Sequence, residues 1–212
     1  MNAISVKKLT KKFKEATVLD NITVDFEQGK VHGLIGRNGS GKTMLMKCIC
    51  GIVPYTSGVI RVNDKIIGKD VDIPSNVGVI IETPGFLPNY SGFNNLKFLA
   101  KIKNKIGANA IKAAIKSVGL NPDDKKHVGK YSLGMRQRLG LAQAIMEDPD
   151  ILILDEPMNG LDKDGVKDMR QFLLGLKEQG KTLLIASHSA EDIDVLCDTV
   201  CEMDKGFLSK VR

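Results

Sequence analysis

The chain has 212 residues, 42% of them hydrophobic and 26% charged, and its 31 Lys and Arg against 25 Asp and Glu give a net charge of +6. This length favours one domain with a substantial core, and the composition excludes a disordered, collagen-like or coiled-coil protein. No stretch approaches the roughly 18 consecutive apolar residues of a membrane span, and the N-terminus lacks the apolar segment of a signal peptide, so we expect a cytoplasmic protein whose contact with a membrane requires a separate subunit.

Short aliphatic and β-branched runs alternate with longer helical patterns along the chain. The predicted strands lie near 4–6, 18–25, 31–35, 59–62, 77–81, 151–154, 182–186 and 199–203. The predicted helices lie near 42–50, 93–118, 134–147, 164–178 and 190–197. Three strands are apolar without alternation, as strands buried on both faces must be: Val31–Ile35, Ile151–Leu154 and Leu183–Ala186. This pattern predicts an α/β fold with a mostly parallel sheet.

The segment from about 85 to 145 contains helical patterns and no convincing strand. The patterns are interrupted at Gly107 and again at Gly119–Pro122. The chain has no internal repeats and no linker long enough to separate independent domains. We therefore expect one domain over residues 1–212, with a helical subdomain inserted at about 85–145.

A glycine-rich motif, G-x4-G-K-T, follows the strand 31–35 directly and precedes a helical run. Glycines let backbone N–H groups curl around phosphate oxygens, and the helix N-terminus adds partial positive charge. We expect Lys42 to bridge the β- and γ-phosphates of a nucleoside triphosphate and the Thr43 hydroxyl to ligate Mg2+. The predicted triphosphate-binding residues are Gly36, Arg37, Asn38, Gly39, Ser40, Gly41, Lys42 and Thr43.

Two adjacent carboxylates, Asp155 and Glu156, follow the apolar strand 151–154. Burying either of them unpaired would be costly. We therefore predict that Asp155 faces the Mg2+ held by Thr43 and that Glu156 holds the attacking water as general base, a role that typically contributes about 10² to 10⁴ in rate. An exposed turn after a strand is the alternative, and it explains Pro157 but not both acids.

A second buried strand, Leu183–Ala186, leads to a polar group, His188. A lone histidine is more often a structural residue, and the residues alone leave that reading open. Its strand is expected beside the strands that carry the phosphate-binding residues. We therefore predict that His188 contacts the γ-phosphate.

Between the phosphate loop and the acidic strand end lies Tyr131-Ser132-Leu133-Gly134-Met135-Arg136-Gln137-Arg138-Leu139. With this segment the chain resembles the nucleotide-binding subunit of ATP-binding cassette (ABC) transporters. The motifs of that family appear in order and cover nearly the whole chain: a Walker A loop at 36–43, a signature near 131–135, a Walker B strand at 151–156, a D-loop at 159–162 and a switch histidine at 188.

The resemblance implies a P-loop NTPase core with a mostly parallel sheet, an antiparallel β part at the N-terminus and a helical signature subdomain. It also implies ATP and Mg2+ as cofactors and a head-to-tail dimer, either a homodimer or a pseudo-dimer of ATPase subunits. In such a dimer Ser132 and Gly134 of one subunit close on the γ-phosphate held by Lys42 of the other, and Asp162 also acts across the interface. Without the family, Ser132 reads as an ordinary helix N-cap.

An aromatic residue upstream of the Walker A loop stacks on adenine in this family, and Phe13 is the match here. Phe26 also lies upstream of the loop. The alternation of Ile22, Val24 and Phe26 with polar residues predicts instead that Phe26 belongs to the core.

The chain departs from the family pattern at two places. Tyr131, Leu133 and Met135 replace residues of the usual signature L-S-G-G-Q, although Ser132 and Gly134 are kept. Glu82 replaces the glutamine of the Q-loop. An ionised Glu can only accept hydrogen bonds, so we predict Glu82 as a further Mg2+ ligand. This variant is similar to the ATPases of bacitracin and lantibiotic self-resistance exporters, or it marks a broader group of exporter ATPases.

We predict a cytoplasmic ATP-hydrolysing subunit that is held on the inner face of the cell membrane by a separate permease and powers export of a peptide antibiotic, drug or similar amphiphile. Pro84–Asn95, with Phe86 and Tyr90, is the predicted permease dock, or its aromatics form subdomain core. The rival is an ABC ATPase driving a cytosolic assembly such as an iron–sulfur scaffold. A non-hydrolysing regulator is disfavoured because Glu156 and His188 are both present.

Lysines and cysteines carry secondary expectations. The lysine clusters at 7–14, 97–105 and 125–130 are predicted to be solvated faces, with a polyanion or an anionic membrane surface as the alternative. No nucleic-acid partner is expected, because aromatics make up only 5% of the chain and Trp is absent. The cysteines have neither zinc-ribbon spacing nor extracellular density, so we expect small buried hydrophobes: Cys48, Cys50, Cys197 and Cys201.

Overall fold

The computed structural model describes residues 1–212. The strands are β1 Asn2–Phe13, β2 Ala16–Glu27, β3 Val31–Ile35, β4 Ser57–Val62, β5 Lys65–Ile66, β6 Val77–Ile80, β7 Ile151–Asp155, β8 Thr182–Ala186, β9 Thr199–Asp204 and β10 Phe207–Lys210. The helices are α1 Lys42–Ile49, α2 Gly92–Lys103, α3 Ala108–Ser117, α4 Leu133–Ile145, α5 Lys163–Glu178 and α6 Ala190–Leu196, and a 3-10 turn covers Val128–Lys130.

The strands form two sheets. One has six strands in the order β10-β9-β3-β8-β7-β6, and all its pairs are parallel except β10 with β9. The other has four antiparallel strands in the order β2-β1-β4-β5. The expected α/β fold, with a mostly parallel sheet and an antiparallel β part near the N-terminus, is confirmed.

Two hydrophobic cores lie on opposite faces of the six-stranded sheet, because successive side chains of a strand point to opposite faces. Ile151 and Ile153 of β7 join the core that contains α1 and the four-stranded sheet. Leu152 and Leu154 join the core that contains the buried side chains of α2 to α6. Helix α1 is therefore packed between two sheets, which fixes the loop that precedes it. Phe26, predicted as core, is 1% exposed in the first of these cores.

The chain from β6 to β7 contains helices and loops and no strand, with one isolated bridge between Ser91 and His127. The helical pattern predicted over 93–118 forms two helices, because α2 ends at Asn104 in the left-handed region with φ 50° and α3 starts after Gly107. Helix α4 packs directly on the backbone of β6, since a side-chain carbon at Gly78 would overlap the carbonyl of Ala144. The last turn of α4 is thereby held against the sheet.

Strand β1 is longer than the predicted strand 4–6. Its lysines break the apolar alternation, and the backbone at Lys8 has φ 48°, where the pairing with β2 shifts register between Val6 and Leu9. Most of the clustered lysines are exposed, as expected. Lys11 corrects that expectation, because it is 8% exposed and its Nζ donates to the backbone O of Pro54 at 2.7 Å.

All four cysteines are buried and free, as predicted. Burial raises the pKa of Cys48 to about 11 and that of Cys50 to about 12. The pKa of Cys197 is raised to about 12, also mainly by burial. None of the helices combines the length and apolarity needed to cross a membrane.

Candidate functional site

The phosphate loop connects the end of β3 to the start of α1 and curls around the side chain of Lys42. Lys42 is 6% exposed, and its Nζ donates to the backbone O atoms of Gly36 at 2.7 Å and Arg37 at 3.1 Å. Gly36 has φ 141°, and a side-chain carbon there would overlap the carbonyl of Met203. Only glycine fits this position, so the loop can close around the ammonium group.

The tip of the loop is open, since Asn38 and Gly39 are exposed. Gly41 caps α1 with φ 113° and offers no side-chain hydrogen bond. The backbone N–H groups of the first turn of α1 are therefore available to an anion. Ser40 lies on the inner side of the loop, where its Oγ is buried without a hydrogen-bond partner. The N–H groups and the cation of Lys42 together form a cradle for phosphate oxygens.

Thr43 and Asp155 meet beside the loop. The Thr43 Oγ1 donates to Asp155 Oδ2 at 2.7 Å, and Asp155, the last residue of β7, is 8% exposed. A hydroxyl and a carboxylate side by side are hard oxygen ligands that fit Mg2+. The structure has no group of three or more His, Cys, Asp or Glu side chains able to hold a metal. Proteins usually bind Mg2+ through one or two carboxylates together with substrate phosphates.

Glu156 follows β7 in the left-handed region, with φ 51°. Its backbone N donates to the O of Ala186 at 2.9 Å, and Gln137 Nε2 donates to its carbonyl O at 3.2 Å. Its carboxylate Oε2 lies 2.8 Å from Nδ1 of His188, whose side chain is 69% exposed. A non-glycine residue at positive φ persists only when its surroundings hold it there. The backbone bonds of Glu156 do so and aim its carboxylate at the switch histidine.

Glu82 lies just beyond β6, also in the left-handed region with φ 61°. Its Oε1 lies 2.6 Å from Nζ of Lys47, rather than on the oxygens of Thr43 and Asp155. Lys47 was missed by the sequence analysis. Its position on α1, one helical turn after Thr43, was the available signal, since residues four apart share a helix face.

A cavity of about 440 Å³ brings part of the phosphate loop together with Asp155 and Glu156, whereas His188 does not line it. Its lining comprises the phosphate loop, the start of α1, the Q-loop and the end of β7, including Lys42, Thr43, Glu82, Asp155 and Glu156. Ser132 and Gly134 do not line it. The structure thus places the Walker A and Walker B residues of one chain at one cavity and leaves its signature residues elsewhere.

The signature residues stand at the start of α4. Ser132 is exposed, and its Oγ accepts a hydrogen bond from the backbone N of Met135 at 3.1 Å. A carbon added at Gly134 would lie 2.9 Å from the backbone O of Gly160 in the D-loop. Asp162 caps α5 by accepting from the backbone N of Gly165 at 3.0 Å. The signature and the D-loop therefore pack against each other within one chain.

Phe13 ends β1 and is 46% exposed. The ammonium of Lys11 lies 4.3 Å from the centroid of its ring, within the range of a cation–π contact. Val18, on the other strand of the same hairpin, lines the phosphate cavity, whereas Phe13 does not. Phe13 therefore stands outside the cavity with an exposed ring.

The segment Pro84–Asn95 divides into two parts. Leu87 and Tyr90 are exposed, and the Tyr90 ring makes an edge contact with Phe98 at 5.1 Å between centroids. Phe86 and Phe93 are half-buried and pack against the helical core. For these two residues the alternative, that the aromatics of this segment form subdomain core, is confirmed, since their rings pack against the core that the helices share with the sheet.

Sequence comparison identifies the class. Residues 19–159 match the family described as "ABC transporter". The chain belongs to this family, as an ABC-type ATPase whose cassette binds nucleotide.

The chain is 49% identical to the ABC transporter ATP-binding protein YybJ of Bacillus subtilis (strain 168), over 97% of this chain and 94% of that protein. It is 42% identical to the bacitracin transport ATP-binding protein BcrA of Enterococcus faecalis, over 97% of this chain and 67% of that protein. It is 36% identical to the lantibiotic transport ATP-binding protein SrtF of Streptococcus pyogenes, over 93% of this chain and 85% of that protein. The resemblance to the bacitracin and lantibiotic group is confirmed.

Solved structures show the same fold. A dimeric bacterial ABC transporter cassette superimposes with a TM-score of 0.87 at 20% identity, covering 99% of both chains. The ADP-bound form of another ABC transporter cassette gives a TM-score of 0.83 at 22% identity, covering all of this chain and 91% of that one.

Proposed function

We propose that this ATPase powers a separate membrane permease that exports a peptide antibiotic, or a drug or similar amphiphile. Two of its relatives are named for transport of bacitracin and of a lantibiotic, at 42% and 36% identity. The chain offers no membrane-spanning helix of its own. The substrate pathway is therefore assigned to the permease, and the ATPase is placed on the inner face of the cell membrane through that partner.

The observation that carries the proposal is the pairing of Glu156 and His188 at 2.8 Å, next to the Thr43–Asp155 pair at 2.7 Å. One pair offers a base with an orienting partner, and the other offers ligands for a metal. Proximity of a base to its orienter is the usual arrangement for activating a nucleophile. The site therefore fits hydrolysis as well as binding.

In the proposed reaction the loop 36–43 holds the ATP phosphates, and Lys42 places its charge between the β- and γ-phosphates. Thr43 and Asp155, with Glu82 as a further candidate ligand, would hold Mg2+, and the ion would supply positive charge to neutralise the phosphate oxygens. Glu156 accepts a proton from a water, whose oxygen bonds to the γ-phosphorus as the bond to the β-phosphate oxygen breaks. His188 orients Glu156 and contacts the γ-phosphate. The products are ADP and inorganic phosphate.

The second half of each ATP site comes from another ATPase subunit, in a head-to-tail homodimer or pseudo-dimer. The Ser132 Oγ accepts from Met135, which leaves its hydrogen free to donate to a phosphate. Gly134 adds a backbone N–H at the N-terminus of α4, where the helix dipole favours an anion. Asp162 lies on the adjoining D-loop. A partner chain that presents its γ-phosphate here would complete both sites at once.

The permease is proposed to dock on the exposed side chains of Leu87, Tyr90 and Phe98, which leave an apolar surface on the helical segment. The helical subdomain at about 85–145 would move as a unit between open and closed dimers, carrying this surface with it. The docked permease would thereby be coupled mechanically to ATP hydrolysis.

The ring of Phe13 would stack on adenine at the other edge of the site.

The test is purification of a tagged Glu156→Gln subunit from native membranes with ATP present, with the same variant without ATP as control. We expect polytopic membrane proteins to remain bound. Recovery of soluble partners alone would contradict the transporter assignment and favour a cytosolic assembly machine. Export is tested by expressing the ATPase with the recovered permease, which should raise resistance to bacitracin or a lantibiotic only with the intact ATPase.

A further inference from the structure

We propose that Arg170 is a positioning residue for the switch histidine His188, acting through Asp192 and Ser187. Arg170 lies on α5 and Asp192 on α6. The guanidinium donates to Asp192 Oδ1 from Nε at 2.8 Å and from Nη2 at 2.5 Å, and to Glu191 Oε1 from Nη1 at 2.7 Å. The inference rests on the proposed role of His188 in hydrolysis.

The hydrogen bonds continue from Asp192 into the loop that carries His188. Ser187 Oγ donates to the second carboxylate oxygen of Asp192 at 3.1 Å and accepts from the backbone N of Ser189 at 3.1 Å. Ser189 Oγ in turn accepts from the backbone N of Asp192 at 3.3 Å. The residues on both sides of His188 are therefore tied to one carboxylate.

That carboxylate depends on Arg170. Asp192 is 3% exposed, and a buried ionised carboxylate is stable only when a cation and hydrogen bonds satisfy it. Arg170 supplies the cation through two N–H groups on one oxygen, and Ser187 satisfies the other oxygen. Without the guanidinium, Asp192 would lose its buried counter-charge and move toward water, and Ser187 would lose its fixed acceptor.

His188 has little else to hold its ring. Its side chain is 69% exposed, and its one hydrogen bond within the chain joins Nδ1 to Glu156. The direction of the ring is therefore set by the backbone of the loop 187–189. Fixing that backbone fixes the distance from His188 to Glu156, on which the proposed base chemistry depends.

Helix α5 also connects this network to the dimer interface. Asp162 caps α5, and Arg170 lies two turns further along the same helix. A cavity of about 590 Å³ is lined by Asp162, Arg170, His188 and Asp192 together. A displacement of the D-loop by a partner subunit would shift α5 and, through Arg170, the loop 187–189. Arg170 would thereby couple closure of the dimer to the position of His188.

The test measures ATP turnover of Arg170→Met in the full chain, with Glu191→Gln as the matched control. Glu191→Gln weakens only the ion pair between Arg170 Nη1 and residue 191, which is exposed, since the Glu191 side chain is 74% exposed. We expect Arg170→Met to lower kcat by about 10- to 100-fold with an unchanged Kd for ATP. Arg170→Lys should restore part of the loss, and Glu191→Gln should change kcat by less than about 2-fold.

A double-mutant cycle with His188→Ala separates positioning from general destabilisation. If Arg170 acts through His188, Arg170→Met has no further effect on kcat once His188 is absent. An equal fall in both backgrounds, or none in either, would overturn the inference while leaving the proposed function intact. Wild-type turnover in His188→Ala would overturn the role of His188 itself. Should Arg170→Met not fold, Asp192→Asn replaces it in the cycle, with the same expectation.

Discussion

The site has a phosphate side, formed by the loop 36–43 with Asp155 and Glu156, and a signature side, formed by Ser132, Gly134 and Asp162. The two sides differ in how many of their polar groups are hydrogen-bonded within one chain. Lys42, Thr43 and Asp155 are bonded to one another or to the surrounding loop, and both Lys42 and Asp155 are buried. Ser132 is exposed with one local bond, to the backbone of Met135. The phosphate side is thus organised within one chain, whereas the chemistry proposed for the signature side requires a second subunit.

The largest effect is expected on the phosphate side, from Glu156→Gln. Loss of the base should lower the rate of phosphate release by a factor of about 10² to 10⁴. The affinity for nucleotide should stay unchanged because Lys42 and Thr43 keep their contacts. Steady-state phosphate release and a nucleotide-binding titration measure the two quantities. Size-exclusion chromatography with ATP should show a stable dimer, because the closed state no longer hydrolyses its ATP.

Glu178→Gln is the matched control for that variant, since Glu178 ends α5 on an exposed surface. It should turn over like the native protein. Unchanged turnover in Glu156→Gln would remove Glu156 from the base role and leave the phosphate side as a binding site only.

Ser132→Ala tests the signature side against a matched cap. Ser132 and Ser91 both cap helices of the helical segment, accepting from the third residue beyond. Each alanine variant should lose about 1 kcal/mol of stability. Only Ser132→Ala should also lower turnover, by about 10²-fold if its hydroxyl donates to the partner's γ-phosphate.

Thermal unfolding and phosphate release, measured on both cap variants, distinguish the two effects. Equal turnover in Ser132→Ala and Ser91→Ala would show that Ser132 is a structural cap alone, and the signature side would lose its proposed donor.

Phe13→Ala asks whether the phosphate side extends to the base of the nucleotide. Stacking on an aromatic ring is worth about 1–3 kcal/mol, so the Kd for ATP should rise by about 10-fold with kcat unchanged at saturation. Phe207→Ala, which removes another exposed ring on an edge strand, should bind ATP as before. Identical affinities for both variants would place the adenine elsewhere.

The smallest effect is expected from Lys47→Met, which frees the carboxylate of Glu82. A partly exposed ion pair is worth about 0.2–1 kcal/mol, so the Mg2+ concentration for half-maximal turnover should fall by about 1.4- to 5-fold. The effect should vanish in a Glu82→Gln background, whose ATP affinity should be retained. A shift that persists without the carboxylate would mean that Lys47 acts on the phosphates directly.

The sequence predicted the buried centre of the fold better than its edges. β3, β7 and β8 are buried on both faces, so their apolar runs are unambiguous, and the motifs follow directly at their ends. The length of β1 was hidden because its lysines interrupt the alternation, and the burial of Lys11 depends on the distant carbonyl of Pro54.

The same distinction applies to the site. Residues next to one another in a motif could be assigned from spacing, as for Asp155 and Glu156. The ion pairs of Lys47 and Arg170 could not, because their partners Glu82 and Asp192 lie 35 and 22 residues away and are brought near only by packing. The half-buried rings of Phe86 and Phe93 were likewise decided by the helices that cover them.

The burial of every cysteine has a practical consequence for following the motion of this molecule. Their raised pKa values leave almost no thiolate at neutral pH, so maleimide dyes and bifunctional cross-linkers will find little to label in the native chain. A single cysteine introduced at an exposed position of the signature or the D-loop would then be the dominant reactive thiol. Fluorescence or spin labels placed there could report subunit approach and separation in real time, on an otherwise unaltered protein.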